Sequence, residues 1–289
     1  MSICHEPQGM GMPNVYSTAH VLSSIISSAK KTGNVGFVPT MGALHKGHLS
    51  LVQKALAENE LVVVSIFVNP TQFNNAADLS AYPRTLDSDL ELLSIFDRVI
   101  VYAPSVDDIY PKNDFFEPID LGGLDMVLEG AFRPGHFQGV VHVVRNLFYI
   151  IQPHTAYFGE KDFQQLAVIR RMVKILNFKI QIVACPTYRS ENGLALSSRN
   201  MRLSEQGRDD ALIINETMHY MKSLGRGLTP AEVVEKGKTY FSRSILDIEY
   251  LEIVDADQLT ILTDKWTERA VCCVAAYCEE VRLIDNLAL

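Results

Sequence analysis

The chain has 289 residues and a net charge of −8, with 26 Lys and Arg against 34 Asp and Glu and no dense basic tract, which argues against a nucleic-acid partner because phosphate-backbone binding rests on clustered cations. Hydrophobic residues make up 47% and charged residues 21%, ordinary for a globular protein, and no apolar run is long enough to span a bilayer. Cys4, Cys185, Cys272, Cys273 and Cys278 form neither a Cys-x-x-Cys ligand set nor a disulfide framework and read as free buried thiols.

The opening residues lack a basic region followed by an apolar stretch, so a cytoplasmic setting is expected, and the folded region is expected to begin near Val15. Short β-rich apolar runs at 35–40, 61–67, 99–102, 156–158 and 180–184 alternate with amphipathic stretches. Helical spacing shows in Leu86, Leu90 and Leu93, and again in Val140, Val144, Leu147, Phe148 and Ile151, which Pro153 ends. This rhythm predicts an α/β fold, a doubly wound, parallel, Rossmann-like sheet over residues 1–186. On the helix carrying Leu166, Ile169, Val173 and Leu176, the cations Arg170, Arg171 and Lys174 read as the solvated side.

Beyond Pro186 the pattern changes to two helical stretches, about 204–223 and 229–245, followed by apolar runs at 248–254, 270–277 and 281–284. A smaller C-terminal α+β lid domain over 187–289 is expected. Leu224-Gly225-Arg226-Gly227 is a helix stop, and Thr229-Pro230-Ala231-Glu232 is a capping-box start.

Three strand ends carry the candidate chemistry. After the first apolar run, with Pro39 expected to end the strand, come Met41, Gly42, Ala43, Leu44, His45, Lys46, Gly47 and His48, a glycine turn and helix start with two imidazoles on one face. Unpaired N–H groups and the dipole at a helix N-terminus favour an anion, so ATP is the first ligand to consider. Asn69-Pro70-Thr71-Gln72 ends the second strand and brings amides that both donate and accept. Gly159, Glu160, Lys161 and Asp162, followed by Gln164 and Gln165, form a second strand-to-helix corner whose lysine can reach a phosphate. Just past the domain junction, Leu196, Ser197, Ser198 and Arg199 lie in a loop of the kind that closes over a triphosphate.

Taken together, Pro39-Thr40-Met41-Gly42-Ala43-Leu44-His45-x-Gly47-His48, Phe67-Val68-Asn69-Pro70-x-Gln72-Phe73, Tyr82-Pro83-Arg84-Thr85, Phe158-Gly159-Glu160-Lys161-Asp162-x-Gln164-Gln165 and Ser197-Ser198-Arg199 resemble the pantothenate synthetase family. These are pantoate–β-alanine ligases of the nucleotidyltransferase superfamily with His-x-Gly-His signatures. Leu196 stands where the family usually has methionine, an apolar exchange of similar volume. Residues 1–13 have no counterpart.

The resemblance implies that pantoate attacks the α-phosphate of ATP, and that β-alanine then displaces AMP from pantoyl adenylate. His45, His48 and Lys161 would be catalytic, with His48 the proton donor, and Ser197, Ser198 and Arg199 would join Lys161 on the phosphates. Gln72 and Gln165 would orient pantoate against Met41. Backbone from Gly159 to Asp162 and near Tyr188 would meet adenosine. Mg2+ would arrive with ATP, with Asp89 a candidate for its second shell of ligands, although a helical Asp near the N-terminus more often complements the helix dipole. A homodimer is implied as well. Another nucleotidyltransferase would need further cations for an acceptor phosphate, and a nucleotide sensor would lack catalytic side chains, none of which is missing.

Overall fold

Valine-rich runs buried on both faces need neighbours on two edges and helices above and below, which is the condition for a parallel sheet. The computed structural model describes residues 11–289. In chain order it shows β1 (Asn14–Tyr16), α1 (Ala19–Ala29), β2 (Val35–Thr40), α2 (Lys46–Glu58), β3 (Leu61–Ile66), α3 (Ala76–Ala81), α4 (Leu86–Leu93) and β4 (Val99–Tyr102). Then come α5 (Val106–Ile109), α6 (Glu129–Phe132), α7 (His136–Ile151), β5 (Thr155–Gly159), α8 (Phe163–Ile175) and β6 (Gln181–Cys185). The strands form one parallel sheet in the order β1-β4-β3-β2-β5-β6.

Side chains alternate across this sheet as the pleat requires. Phe37, Val63, Ile100, Tyr102, Ala156 and Phe158 face α1, α7 and α8, whereas Val38, Val62, Val64, Val99, Val101 and Tyr157 face α2 and α4. Both faces are therefore covered, and the fold is the doubly wound α/β architecture.

The order reverses at β2, whose neighbours are β3 on one edge and β5 on the other, and a crevice opens there. β2 registers with β5 only through Gly36↔Thr155 and Phe37↔Ala156, so the two strands have parted before their carboxyl ends. Pro39 corrects one expectation, because it lies inside β2 rather than ending it. Val35 O accepts from His154 on the β5 side and Thr40 O accepts from Phe67 on the β3 side. By alternation Pro39 points toward β5 where the ladder has already stopped, so its missing N–H leaves no bond unmade.

The C-terminal region holds α9 (Glu205–Asp210), α10 (Leu212–Leu224), α11 (Pro230–Phe241) and an antiparallel sheet of β7 (Asp247–Asp255), β8 (Ala270–Cys278) and β9 (Val281–Ala288) in the order β7-β8-β9. One expected helix over 204–223 is two, parted at Ala211, where Ile214 N bonds back only three residues to Ala211 O. Thr229 and Glu232 cap α11 reciprocally, as their spacing indicates. One sheet face packs on α10 and α11, and the other, through Tyr250, Val254, Cys273 and Ala275, on Leu128, Phe163 and Ala167 of the first sheet's region.

Short or weakly periodic elements escaped the sequence reading, notably the three-residue β1, the serine-rich α1 and the one-turn α5 and α6. Cys185, Cys272, Cys273 and Cys278 are free and buried as expected, while Cys4 lies outside the described residues. Among those residues no helix is long and apolar enough to cross a membrane.

A buried ion pair ties the two regions. Arg282 on β9 grips Glu129 of α6 with two bonds, Nη1 to Oε2 at 2.7 Å and Nη2 to Oε1 at 2.8 Å, and Tyr250 donates to Glu129 Oε1 at 2.8 Å. Burial opposes the Glu129 charge, but Arg282, Tyr250 and Arg133 outweigh it and hold the carboxyl down at about 2. Its folded value lies below the ordinary 4.5, so this stabilisation is complete above pH 4.5 and is lost as pH falls from there toward 2. Arg282→Met should lower unfolding free energy by about 3–5 kcal/mol in denaturant titrations at pH 7, because the buried Glu129 carboxylate loses its two-bonded cation and keeps only the Tyr250 hydroxyl and Arg133 at 3.5 Å. Glu129→Leu added to it should restore part of that loss.

Candidate active site

The crevice between β2 and β5 widens into a cleft of about 740 Å3, within the range of small-molecule sites and lined from both sheet regions. Its floor is the corner between β2 and α2. Gly42 (φ +80°) and Ala43 (φ +50°) turn the chain in the left-handed region, and a Cβ on Gly42 would come within 3.0 Å of Asp89 Oδ2. Asp89 of α4 locks the corner by accepting from Ala43 N at 3.0 Å and Leu44 N at 2.7 Å. Thr85 adds a third donor at 3.2 Å.

The metal-ligand expectation for Asp89 is corrected here, since both its oxygens are engaged by backbone N–H groups and the residue is 1% exposed. Its helix-dipole alternative is met, since Asp89 lies in the first turn of α4, while its hydrogen bonds go to the amides of the corner before α2. Among the described residues no group of three or more His, Cys, Asp or Glu side chains is placed to hold a metal ion.

His45 caps α2 from an extended backbone, and its ring lies 4.0 Å from that of His48, centroid to centroid. His45 Nδ1 accepts from Gly47 N at 3.1 Å, and His48 Nδ1 accepts from His45 N at 3.3 Å. A backbone N–H can only donate, so each Nδ1 is unprotonated and each neutral ring carries its proton on Nε2. Gly47 is required for this, because a Cβ there would sit 2.9 Å from His45 Cε1. Burial and the nearby Lys161 charge hold His45 at about 4. Burial, His45 and Lys161 hold His48 at about 3.

Lys161 stands across the crevice at the β5–α8 corner, and among the described residues no carboxylate pairs with its ammonium. The corner is braced from β9, where Asn286 Nδ2 donates to Glu160 O and Lys161 O, both at 2.9 Å. Gln165 reaches the cleft, whereas its neighbour Gln164 is buried and bonds to Glu129 N, Leu124 O and Val127 O. On the second strand's side, Gln72 Nε2 lies 3.2 Å from Met41 Sδ at the cleft wall.

The loop past β6 completes the wall. Ser198 Oγ donates to Ala43 O at 3.0 Å, Ser197 Oγ accepts from Arg199 N at 3.2 Å, and Tyr188 and Leu196 line the same space. Arg199 and Arg202 both bind Asp78 of α3, at 2.8 Å and 2.9 Å, with the Arg199 guanidinium 5.7 Å from the Tyr82 ring centre.

The structure thus brings Met41, His45, Gly47, His48, Gln72, Gly159, Lys161, Asp162, Gln165, Tyr188, Leu196, Ser197, Ser198 and Arg199 to one cleft. Gly42, Ala43 and Leu44 lie behind its floor, and the N–H groups of Ala43 and Leu44 face Asp89 rather than an incoming phosphate. Lys46 is exposed, and the Glu160 carbonyl is taken by Asn286. Sequence reasoning missed Asp78, Arg133, His136 and Arg202, which also line the cleft. His136 Nδ1 lies 2.7 Å from Gln72 O, and burial and Arg133 hold it at about 4. Its place at a glycine-preceded helix start was the available signal.

A family model for pantoate–β-alanine ligases matches residues 14–288. The chain belongs to the pantoate–β-alanine ligase family. It is an enzyme that ligates pantoate to β-alanine. Pantothenate synthetase of Phocaeicola vulgatus is 50% identical over 275 residues, covering 93% of this chain and 97% of that one. The Cytophaga hutchinsonii enzyme is 47% identical, with 96% and 99% covered. Among solved structures, a Thermus thermophilus pantothenate synthetase superposes with a TM-score of 0.88 at 44% identity, covering 95% and 98%. A Francisella tularensis ligase, complexed with beta-gamma ATP and β-alanine, gives 0.75 at 36% identity, covering 96% and 97%.

Both histidines of this ligase have folded values below the ordinary 6.5, so the neutral rings contribute stability that is complete above pH 6.5 and is lost as pH falls toward about 4 for His45 and about 3 for His48. In 15N-edited NMR of the free enzyme both rings should remain Nε2–H tautomers down to pH 5. A normal titration near 6.5 at either ring contradicts the geometry. Gly47→Ala should leave the fold intact while reducing turnover at least tenfold, measured with saturating substrates, because it pushes the His45 ring aside.

Proposed function

We propose that the cleft carries out the ligation in two steps, activating pantoate with ATP on the β2–α2 corner and passing the acyl group to β-alanine. A carboxylate is a poor acyl donor because it repels a nucleophile and has no leaving group. Attack of a pantoate oxygen on the α-phosphorus breaks the bond to pyrophosphate and makes a mixed anhydride. The amine of β-alanine then attacks the acyl carbon and releases AMP. Little covalent work falls to the protein, and positioning with charge stabilisation carries the rate.

The observation that supports this reading is the facing of His45, His48 and Lys161 across the open β2–β5 crevice, beside the Gln72 and Gln165 amides. Two neutral Nε2–H groups at a helix N-terminus donate to phosphate oxygens as negative charge builds there. His48 acts first as a hydrogen-bond donor, and the triphosphate's charge opposes that of Lys161 and raises the imidazole toward the proton-donor role. Lys161 meets phosphate as a point charge, and Arg199 joins it with Ser197 and Ser198 when the 187–289 portion closes as a lid. Gln72 and Gln165 hold the hydroxyls and carboxylate of pantoate against Met41, and backbone at Gly159–Asp162 and Tyr188 receives adenosine.

Magnesium enters as the ATP complex. Bound there, it would neutralise charge on the phosphate oxygens, and Asp162 is a carboxylate that lines the same cleft. The enzyme works in the cytoplasm as a homodimer, which sedimentation velocity tests directly.

The deciding assay follows pyrophosphate and AMP with each substrate omitted in turn. Pyrophosphate should appear with ATP and pantoate alone, limited to enzyme stoichiometry, and AMP should accumulate only when β-alanine is added. Pyrophosphate release that ignores pantoate overturns the reading. His48→Ala should cut turnover by roughly 3 kcal/mol, or 10²–10³-fold, with ATP affinity changed far less. Gln72→Ala should raise the KM for pantoate and leave that for ATP nearly intact.

A further inference from the structure

Gln72 is only useful to an acidic substrate if its amide points the right way, since N–H2 toward the cleft attracts carboxylate and hydroxyl oxygens while C=O toward the cleft repels them. Its direction is set by a chain of bonds behind the Pro70–Gln72 turn. Asn69 Oδ1 accepts from Thr71 N at 3.2 Å, from Thr71 Oγ1 at 3.0 Å and from Tyr110 Oη at 2.7 Å. Asn69 Nδ2 therefore faces the other way, donating to Gly139 O at 3.3 Å and to Gln72 at 3.0 Å. The Gln72 atom that receives this bond must be Oε1, and Nε2 is left turned to Met41 and the cleft.

Tyr110 gives the shortest of the three bonds at Asn69 Oδ1, and it does so from outside the cleft lining. Its ring is held independently of any substrate. It lies 4.6 Å from the His142 ring and 6.3 Å from the Phe67 ring, and His142 is itself stacked on Phe116 at 4.2 Å. Asp114 fixes His142 through Nε2 at 2.5 Å, and also accepts from Arg145 at 2.7 Å and from Asn146 at 2.8 Å. A rigid aromatic stack thus aims one hydroxyl at one amide oxygen.

We propose that Tyr110 is a positioning residue for pantoate, fixing through Asn69 the polarity of the Gln72 amide so that donors face the substrate. The Tyr110 hydroxyl has a single proton, which goes to Asn69, as does the single proton of the Thr71 hydroxyl 3.3 Å away. Removing the Tyr110 proton takes away the shortest of the three bonds and leaves Asn69 Oδ1 held only by Thr71, through its hydroxyl at 3.0 Å and its N–H at 3.2 Å, so the amide pair is less firmly set. This rests on the assignment of Gln72 to pantoate.

Tyr110→Phe keeps the ring stack and deletes only the hydroxyl. The KM for pantoate should rise about five- to tenfold, the loss of one net hydrogen bond, while kcat and the KM for ATP stay within twofold. In the Gln72→Ala background the same substitution should change the pantoate KM by less than twofold, because the group being oriented is gone. An unchanged pantoate KM in Tyr110→Phe overturns the inference, as does an effect that persists undiminished in the Gln72→Ala background or one that falls equally on ATP. If Gln72→Ala itself leaves the pantoate KM unaltered, the assignment of the acid pocket fails first and this inference with it.

Discussion

One buried carboxylate governs the geometry of the site. Asp89 accepts from the N–H groups of Ala43 and Leu44, and those two bonds hold a backbone corner that would otherwise be costly, left-handed at Gly42 and again at the non-glycine Ala43. Everything downstream inherits that corner. It decides where α2 starts, which way the first free N–H groups of the helix point and how His45 and His48 stack. The same corner offers Ala43 O to Ser198, so the loop past β6 is registered on it from the other side. Burial pushes the Asp89 carboxyl up while the corner's N–H groups and Thr85 draw it down, so the bonds that shape the loop also offset the cost of desolvating their acceptor.

β9 has a comparable part across the crevice. Within five residues it supplies Arg282 to Glu129, Asp285 to Arg189 and Asn286 to the carbonyls of Glu160 and Lys161. The Lys161 corner is thus braced by the C-terminal sheet, while the histidine corner is braced by α4. The two sides of the cleft thus belong to different supports, and the Leu128, Phe163 and Ala167 contacts keep those supports in register.

The doubly wound sheet was legible because both of its faces are covered, so the strands read as continuous apolar runs with helical stretches between them. The bounds of β2 and β4 agree residue for residue with those runs. Motifs at the carboxyl ends of β2, β3 and β5 were legible for a related reason, since glycine, histidine and amide residues interrupt the apolar pattern there. The bonds of Asp89 were not legible, because sequence spacing shows a first-turn acid on α4 and says nothing of amides 45 and 46 residues earlier in the chain. Gln164 and Gln165 look equivalent in sequence, yet the turn of α8 buries the first against α6 and presents the second to the cleft. Asp78, Arg202 and Arg282 carried no local signal at all. Asp78 and Arg202 are 124 residues apart and Arg282 and Glu129 153, and only the meeting of the two regions brings them to one place.

Electrostatics explains why the site can stand open between these parts. Cationic and titratable groups crowded at one cleft would repel one another if all were charged and unpartnered. Arg199 and Arg202 share Asp78, and Arg133 and Arg282 share Glu129, so each of these guanidinium groups has a carboxylate partner within the protein. His45 and His48 are kept neutral by burial and by Lys161, and a neutral imidazole with its proton on Nε2 still donates a hydrogen bond. An entering anion therefore meets the Lys161 ammonium, which has no carboxylate partner among the described residues, and a set of preorganised neutral donors, not a crowd of bare charges. Donors of that kind need no reorganisation as charge develops on a phosphate, which is the condition under which hydrogen bonds lower a barrier rather than merely retain a ligand.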